Sequence, residues 1–187
     1  EPFRLALVAE DRWGNPTDRA AGTYKLEATA RVDGLPETIT LAQGEGPRVI
    51  EGLKAATPGD LAITLTGESG AVLCRANPIE VLAKAPALRR YWGDLHGQSE
   101  ETVGTNSIDD YFSYARDKAF LDIVGHQGND FQMTDAFWDR LNRLTAAAND
   151  PGRFIALPGY EWSGNTGMGG DRNVFYRREG RPIRRSS

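Results

Sequence analysis

The hydrophobic pattern of this chain changes period once, between about Lys84 and Arg90, and that change limits the fold more than any single residue does. Ahead of it, apolar and β-branched runs are short and turn residues are frequent. The runs Phe3 to Val8, Tyr24 to Val32, Thr38 to Leu41, Val49 to Leu53, Leu61 to Leu65 and Val72 to Leu82 predict strands. Turn chemistry separates them at Asp11 to Pro16, Asp33 to Pro36, Gly44 to Pro47, Pro58 to Asp60 and Glu68 to Gly70. Strict alternation from Tyr24 to Val32 puts one side inward and the other toward water. Strands at this spacing predict an all-β, immunoglobulin-like sandwich over residues 1–86.

After the change the order is strand, loop, helix. Strands are predicted at Tyr91 to His96, Phe120 to His126 and Phe154 to Leu157. A helix capped by Ser107 runs to about Lys118, and a second, opened by Thr134, carries Phe137, Leu141 and Leu144 on one face. Alternation at roughly 30-residue spacing is the signature of βα units on a parallel sheet. Residues 87–187 are therefore predicted to belong to a second, α/β fold class.

Composition narrows the function. With 187 residues, 40% hydrophobic and 26% charged, the chain is expected to fold as a soluble protein, and no run of about 18 apolar residues offers a membrane span. The net charge of −4 argues against nucleic acid as the main partner. Between Asp171 and Ser187, six arginines against Asp171 and Glu179 leave a local balance of +4, read as a solvated tail or a phosphate-attracting patch. The one cysteine, Cys74, excludes a disulfide framework and a cysteine zinc site, and its apolar neighbours predict a buried thiol. The start at Glu1-Pro2-Phe3 shows no initiator Met and no leader pattern, so compartment is left open, as is oligomeric state.

The chain has two histidines, and each closes a predicted strand of the second half. His96 ends the first, His126 the second, and Glu161 follows the third. In parallel α/β architectures functional groups collect at the carboxyl ends of strands. Two imidazoles and a carboxylate at one rim suit divalent Zn, Mn or Fe. Asp130 is placed to bind metal, to orient His126, or to cap a helix. Arg172 is the candidate clamp for a substrate oxyanion, because a planar guanidinium matches phosphate in two places. The glycines of Trp162 to Gly167 leave backbone free to approach a ligand, while neither Gly-Lys-Ser/Thr nor Gly-x-Ser-x-Gly occurs.

Gly93-Asp94-Leu95-His96, Leu121 to His126 and Leu157 to Glu161, in that order, resemble the first three motifs of the PHP (polymerase and histidinol phosphatase) superfamily, in a bacterial branch with a preceding immunoglobulin-like segment. The resemblance implies a distorted βα barrel, a phosphoester substrate, and two or three divalent ions in the complete protein. It also implies ligands at positions where this chain has Gln98 in place of His, Val103 in place of an acid, and Asp171 in place of His, with Glu101 standing in for Val103. The implied metal set is then His96, Gln98, Glu101, His126, Glu161 and Asp171. About 100 residues follow the sandwich, against the 200 or more of a complete α/β barrel, so the chain is expected to be a fragment of a longer enzyme, inactive alone. The alternative is a non-catalytic binding module, in which the sandwich takes a glycan or protein partner and the second half is a degenerate scaffold.

Overall fold

The computed structural model describes residues 1–164, 167 and 169–186. The chain divides into two compact units, Glu1–Arg89 and Arg90–Ser187, where the composition had suggested a boundary at 86/87.

Unit 1 is all-β. A four-stranded sheet has the order β4 (Thr38–Leu41), β2 (Gly22–Ala28), β7 (Ile63–Thr66), β8 (Val72–Arg75). A second sheet has the order β1 (Phe3–Leu7), β5 (Arg48–Ala55), β3 (Val32–Asp33), and β6 (Gly59–Leu61) pairs with β9 (Ile79–Val81). Inward residues of these sheets share one core around Leu26, Ile39, Leu61 and Ile63. The expected alternation of β2 is met, with Thr23, Lys25 and Glu27 outward and Leu26 buried. Two predicted runs are each two strands. The run from Leu61 breaks at Ala62, and the run from Val72 breaks ahead of Pro78, which has no N–H to give a ladder. Cys74 corrects another expectation: it is exposed on β8, an edge strand whose four residues all face solvent.

Unit 2 is built on three parallel strands in the order β10 (Gly93–Gly97), β11 (Ile123–His126), β12 (Ile155–Leu157). Helices α1 (Ile108–Asp117) and α2 (Asp135–Ala148) begin where their caps predict, with Ser107 accepting the Asp110 N–H and Thr134 the Phe137 N–H, both at 3.1 Å. Val124 and Ala156 face each other across β11 and β12 and share a core with Ile108, Phe112, Phe137, Trp138, Leu141 and Phe154. β11 starts later than expected because Phe120 turns the chain in the left-handed region, at φ 54°. An antiparallel hairpin not predicted from the sequence, β13 (Gly159–Trp162) with β14 (Arg172–Phe175), continues from the end of β12. Strand outweighs helix in the chain, and the described residues form no βα barrel.

The arginine-rich C-terminal stretch is not a loose tail. Trp138 Nε1 donates to the Arg181 carbonyl at 2.9 Å, the Gly180 N–H to Asn142 Oδ1 at 3.0 Å, and the Arg184 N–H to the Tyr160 hydroxyl at 3.0 Å. No helix among the described residues is long and apolar enough to cross a membrane.

Candidate functional site

Of the six expected ligands, the fold brings His96, Gln98 and Glu161 together. Glu161 lies on β13 and is 7% exposed. Its N–H donates to the Gly128 carbonyl at 2.9 Å and its carbonyl accepts the Asp130 N–H at 2.9 Å, so the loop after β11 fixes its backbone. Its Oε1 is 3.8 Å from His96 Nε2. Its Oε2 accepts the Asn129 amide at 2.7 Å and the Gln98 amide at 3.3 Å. The Gln98 oxygen meanwhile accepts the Thr102 hydroxyl at 2.8 Å, which turns its NH2 end, not its oxygen, toward Glu161. Gln98 is thus a carboxylate-orienting donor here rather than a ligand.

His96, half exposed at the end of β10, is held from behind. Its Nδ1 donates to Asn173 Oδ1 at 3.0 Å, and the Asn173 amide in turn faces the Leu95 carbonyl at 3.5 Å. That bond sets the orientation of the ring and leaves Nε2 on the side of Glu161. Asn173 comes from β14, whose register sets it opposite Glu161.

The other expected residues lie elsewhere. His126 follows Val124 by two residues, so strand alternation turns it into the helix-side core, 1% exposed and edge-on to Tyr111 and Phe137. Its Nε2 accepts the Ser99 N–H at 3.0 Å beside the Ser99 hydroxyl at 2.9 Å, and the Gly128 N–H lies 3.3 Å from Nδ1. No lone pair is left facing a ligand, and burial pushes its pKa down to about 4. Glu101 pairs with Arg140 at 2.9 Å. Burial alone would raise its carboxyl, but hydrogen bonds from Ser99 and from backbone N–H groups, with Arg140, hold it below the usual range. Asp171 is exposed ahead of β14. Arg172 folds back on its own loop, its Nη1 donating to the carbonyls of Gly169 at 2.6 Å and of Gly170 and Asp171 at 3.3 Å. Asn165 and Thr166 of the glycine-containing loop lie outside the described residues.

Asp130, fully buried, neither binds His126 nor caps a helix. Its Oδ1 accepts the Ser163 N–H at 2.9 Å and the Ser186 hydroxyl at 3.2 Å, and its Oδ2 accepts the Ser186 N–H.

Among the described residues no group of three or more His, Cys, Asp or Glu side chains is placed to hold a metal ion. The His96 and Glu161 pair nevertheless fits as two donors. Ligands of one tetrahedral ion, at bonds of about 2.1 Å, lie roughly 3.4 Å apart, within a small side-chain adjustment of the gap between Nε2 and Oε1. Sequence reasoning missed Asn129, Ser163 and Asn173. The signal it had was Val174 to Tyr176, a short β-prone run after two glycines, which marks the return strand.

The model of a family described as protein of unknown function DUF3604 matches residues 62–187, more than half of the chain. The chain belongs to the DUF3604 family. Relatives of this DUF3604 chain include an uncharacterized protein of Chlamydia pneumoniae, 26% identical over 183 residues, which are 95% of this chain and 29% of the relative. Another uncharacterized protein, from Chlamydia trachomatis, is 25% identical over 182 residues, again 95% of this chain and 29% of the relative. The DUF3604 chain thus spans about 29% of the length of the curated relatives it matches. No solved structure matches it. DUF3604 membership corrects the expected PHP assignment: the family model that matches is one of unknown function, the relatives are uncharacterized proteins, and three parallel strands with two helices beside a hairpin are not that superfamily's barrel.

Proposed function

We propose that this DUF3604 chain contributes His96 and Glu161 to the divalent-metal site of a hydrolase, with Zn, Mn or Fe as the ion and the remaining ligands lying outside the described residues. One arrangement carries the reading: an imidazole anchored at Nδ1 by Asn173, its Nε2 3.8 Å from a carboxylate that Asn129 and Gln98 hold in place. A histidine whose rear nitrogen is hydrogen-bonded while the front one faces a carboxylate is how proteins prepare a metal ligand. A bound divalent cation supplies Lewis acidity and makes water a nucleophile near neutral pH. The chain's own residues do the rest. Asn173 and Asn129 keep the two donors aligned, and the partly exposed His96 leaves one side open to substrate.

Elemental analysis of the full-length protein tests this directly. Metal retained by the wild type and lost in both His96→Ala and Glu161→Gln is the expected result; a wild type that binds no Zn or Mn sinks it. Phosphomonoester, phosphodiester and carboxylic ester probes then identify the bond cleaved, the phosphoester being the class to assay first.

A second reading, a binding module, draws on unit 1. Its immunoglobulin-like sandwich has an open groove of about 460 Å³ lined by Thr23, Tyr24, Lys25, Glu27, Thr38 and Thr66, a hydroxyl-rich surface suited to a polar ligand such as a glycan. The Gln98 amide facing Glu161 also favours it. Glycan binding that survives His96→Ala, in a protein without metal, selects this reading over the first.

A further inference from the structure

The hydrolase chemistry makes no use of Asp130, yet Asp130 is fully buried and ionisable. A carboxylate taken out of water must be compensated by donors aimed at it. Here the donors come from two places far apart in sequence. Ser163 directly follows the strand that carries Glu161, and Ser186 lies in the segment 177–186. The backbone of Asp130 repeats the pattern, its N–H donating to the Glu161 carbonyl and its own carbonyl accepting from Arg185. Arg185 also donates to the Met133 carbonyl and pairs with Asp135, both at 2.6 Å. A second link runs through Tyr160, the neighbour of Glu161, whose buried hydroxyl accepts the Arg184 N–H.

We infer that Asp130 is a positioning residue that ties the segment 177–186 to the Glu161 strand, so that seating of this segment and ordering of the His96–Glu161 site occur together. Lifting the segment strips a buried carboxylate of two of its donors, and the third, the Ser163 N–H, then holds alone a charge that water will enter to solvate. Coupling of this kind is reciprocal: whatever orders the site protects the segment, and whatever releases the segment loosens the site. The inference rests on the reading of His96 and Glu161 as the functional pair, but the coupling itself is measurable without any ligand.

Amide hydrogen exchange on the full-length protein makes that measurement. Arg185→Ala removes the clamp without altering Asp130 or Ser163 themselves. The expected result is faster exchange at the amides of Arg184 and Ser186 together with about tenfold faster exchange at Ser163, while the Leu141 amide in α2 keeps its wild-type rate. If Leu141 also quickens, the milder Ser186→Ala variant is read at the same amides. A segment that opens while Ser163 exchanges as in the wild type overturns the inference, and so does a segment that stays protected in both variants. Zn2+ alone, added to the wild type, is expected to slow exchange at Ser163 and Ser186 in parallel; slowing at Ser163 only also overturns the coupling. Failure of Zn2+ to bind at all removes the metal reading and leaves the comparison of variants to decide the coupling.

Discussion

His126 and His96 show how differently two histidines at strand ends behave. Val124 faces the helices, and the residue two positions on must face them too, so His126 is a core residue whose burial holds it neutral. Its pKa falls from 6.5 to about 4 on folding. Between those values the unfolded chain binds a proton that the folded chain does not, so stability declines as pH drops below about 6.5 and levels off below about 4. The total loss is about 3 kcal/mol. Urea midpoints measured across that interval should fall for the wild type and fall less steeply for His126→Gln. Asn173 is the complementary case, since in the proposed site it acts on a ligand rather than as one. Asn173→Ala is expected to weaken Zn binding by the full-length protein roughly tenfold or more, read by calorimetry, with little change in stability. Strand ends in the sequence singled out His96 and Glu161, which the fold brings to 3.8 Å of each other. They were not enough to tell an outward histidine from an inward one, which depends on the phase of a four-residue strand. Asn129 and Asn173 were hidden because a carboxamide has no chemistry of its own to flag it, and its role follows from a register set over a distance.

At the scale of elements, both helices of unit 2 were legible because their caps are local: Ser107 and Thr134 bond backbone groups three residues on. Strands were legible as hydrophobic runs but not as counts, since a run such as Leu61 to Leu65 does not say where one sheet is left for another. The β13–β14 hairpin escaped because nine residues separate strands of only four residues each, and hairpin signals are strong only in tight turns. One glycine holds that hairpin against the sheet. A Cβ at Gly159 would fall against the Val174 carbonyl oxygen and the Gln127 amide, well inside contact distance, and the carbonyl is backbone that cannot swing aside. Gly159→Ala is therefore expected to destabilise the protein by about 2 kcal/mol or more, seen as a lowered urea midpoint, and to displace Glu161 with it.

For the whole molecule, the change of pattern near residues 84–90 marks where two cores part, one around Leu26 and Ile63, the other around Val124 and Phe154. Residues 83–95 are exposed throughout and contain Lys84, Arg89 and Arg90. Brief trypsin treatment should cut first at one of these, giving two fragments near the sizes of the units by mass spectrometry; early cleavage within β2 or α2 would contradict it. The architecture of unit 2 was only partly legible, because motif order near three strand ends does not say how a sheet continues, and the observed continuation is an antiparallel hairpin.

Cys74 gives the two-unit arrangement a practical use. It is the chain's one thiol, exposed on an edge strand of unit 1, whereas the His96–Glu161 pair belongs to unit 2. A maleimide dye or nitroxide therefore attaches to this chain at a single known position, in the unit that does not carry the candidate site. Partial burial pushes the thiol pKa up, so coupling will be slower than at an open cysteine and will need mildly alkaline buffer. The chain thus comes with its own reporter position, from which energy transfer to a lanthanide bound at the candidate site would read the distance between the two units.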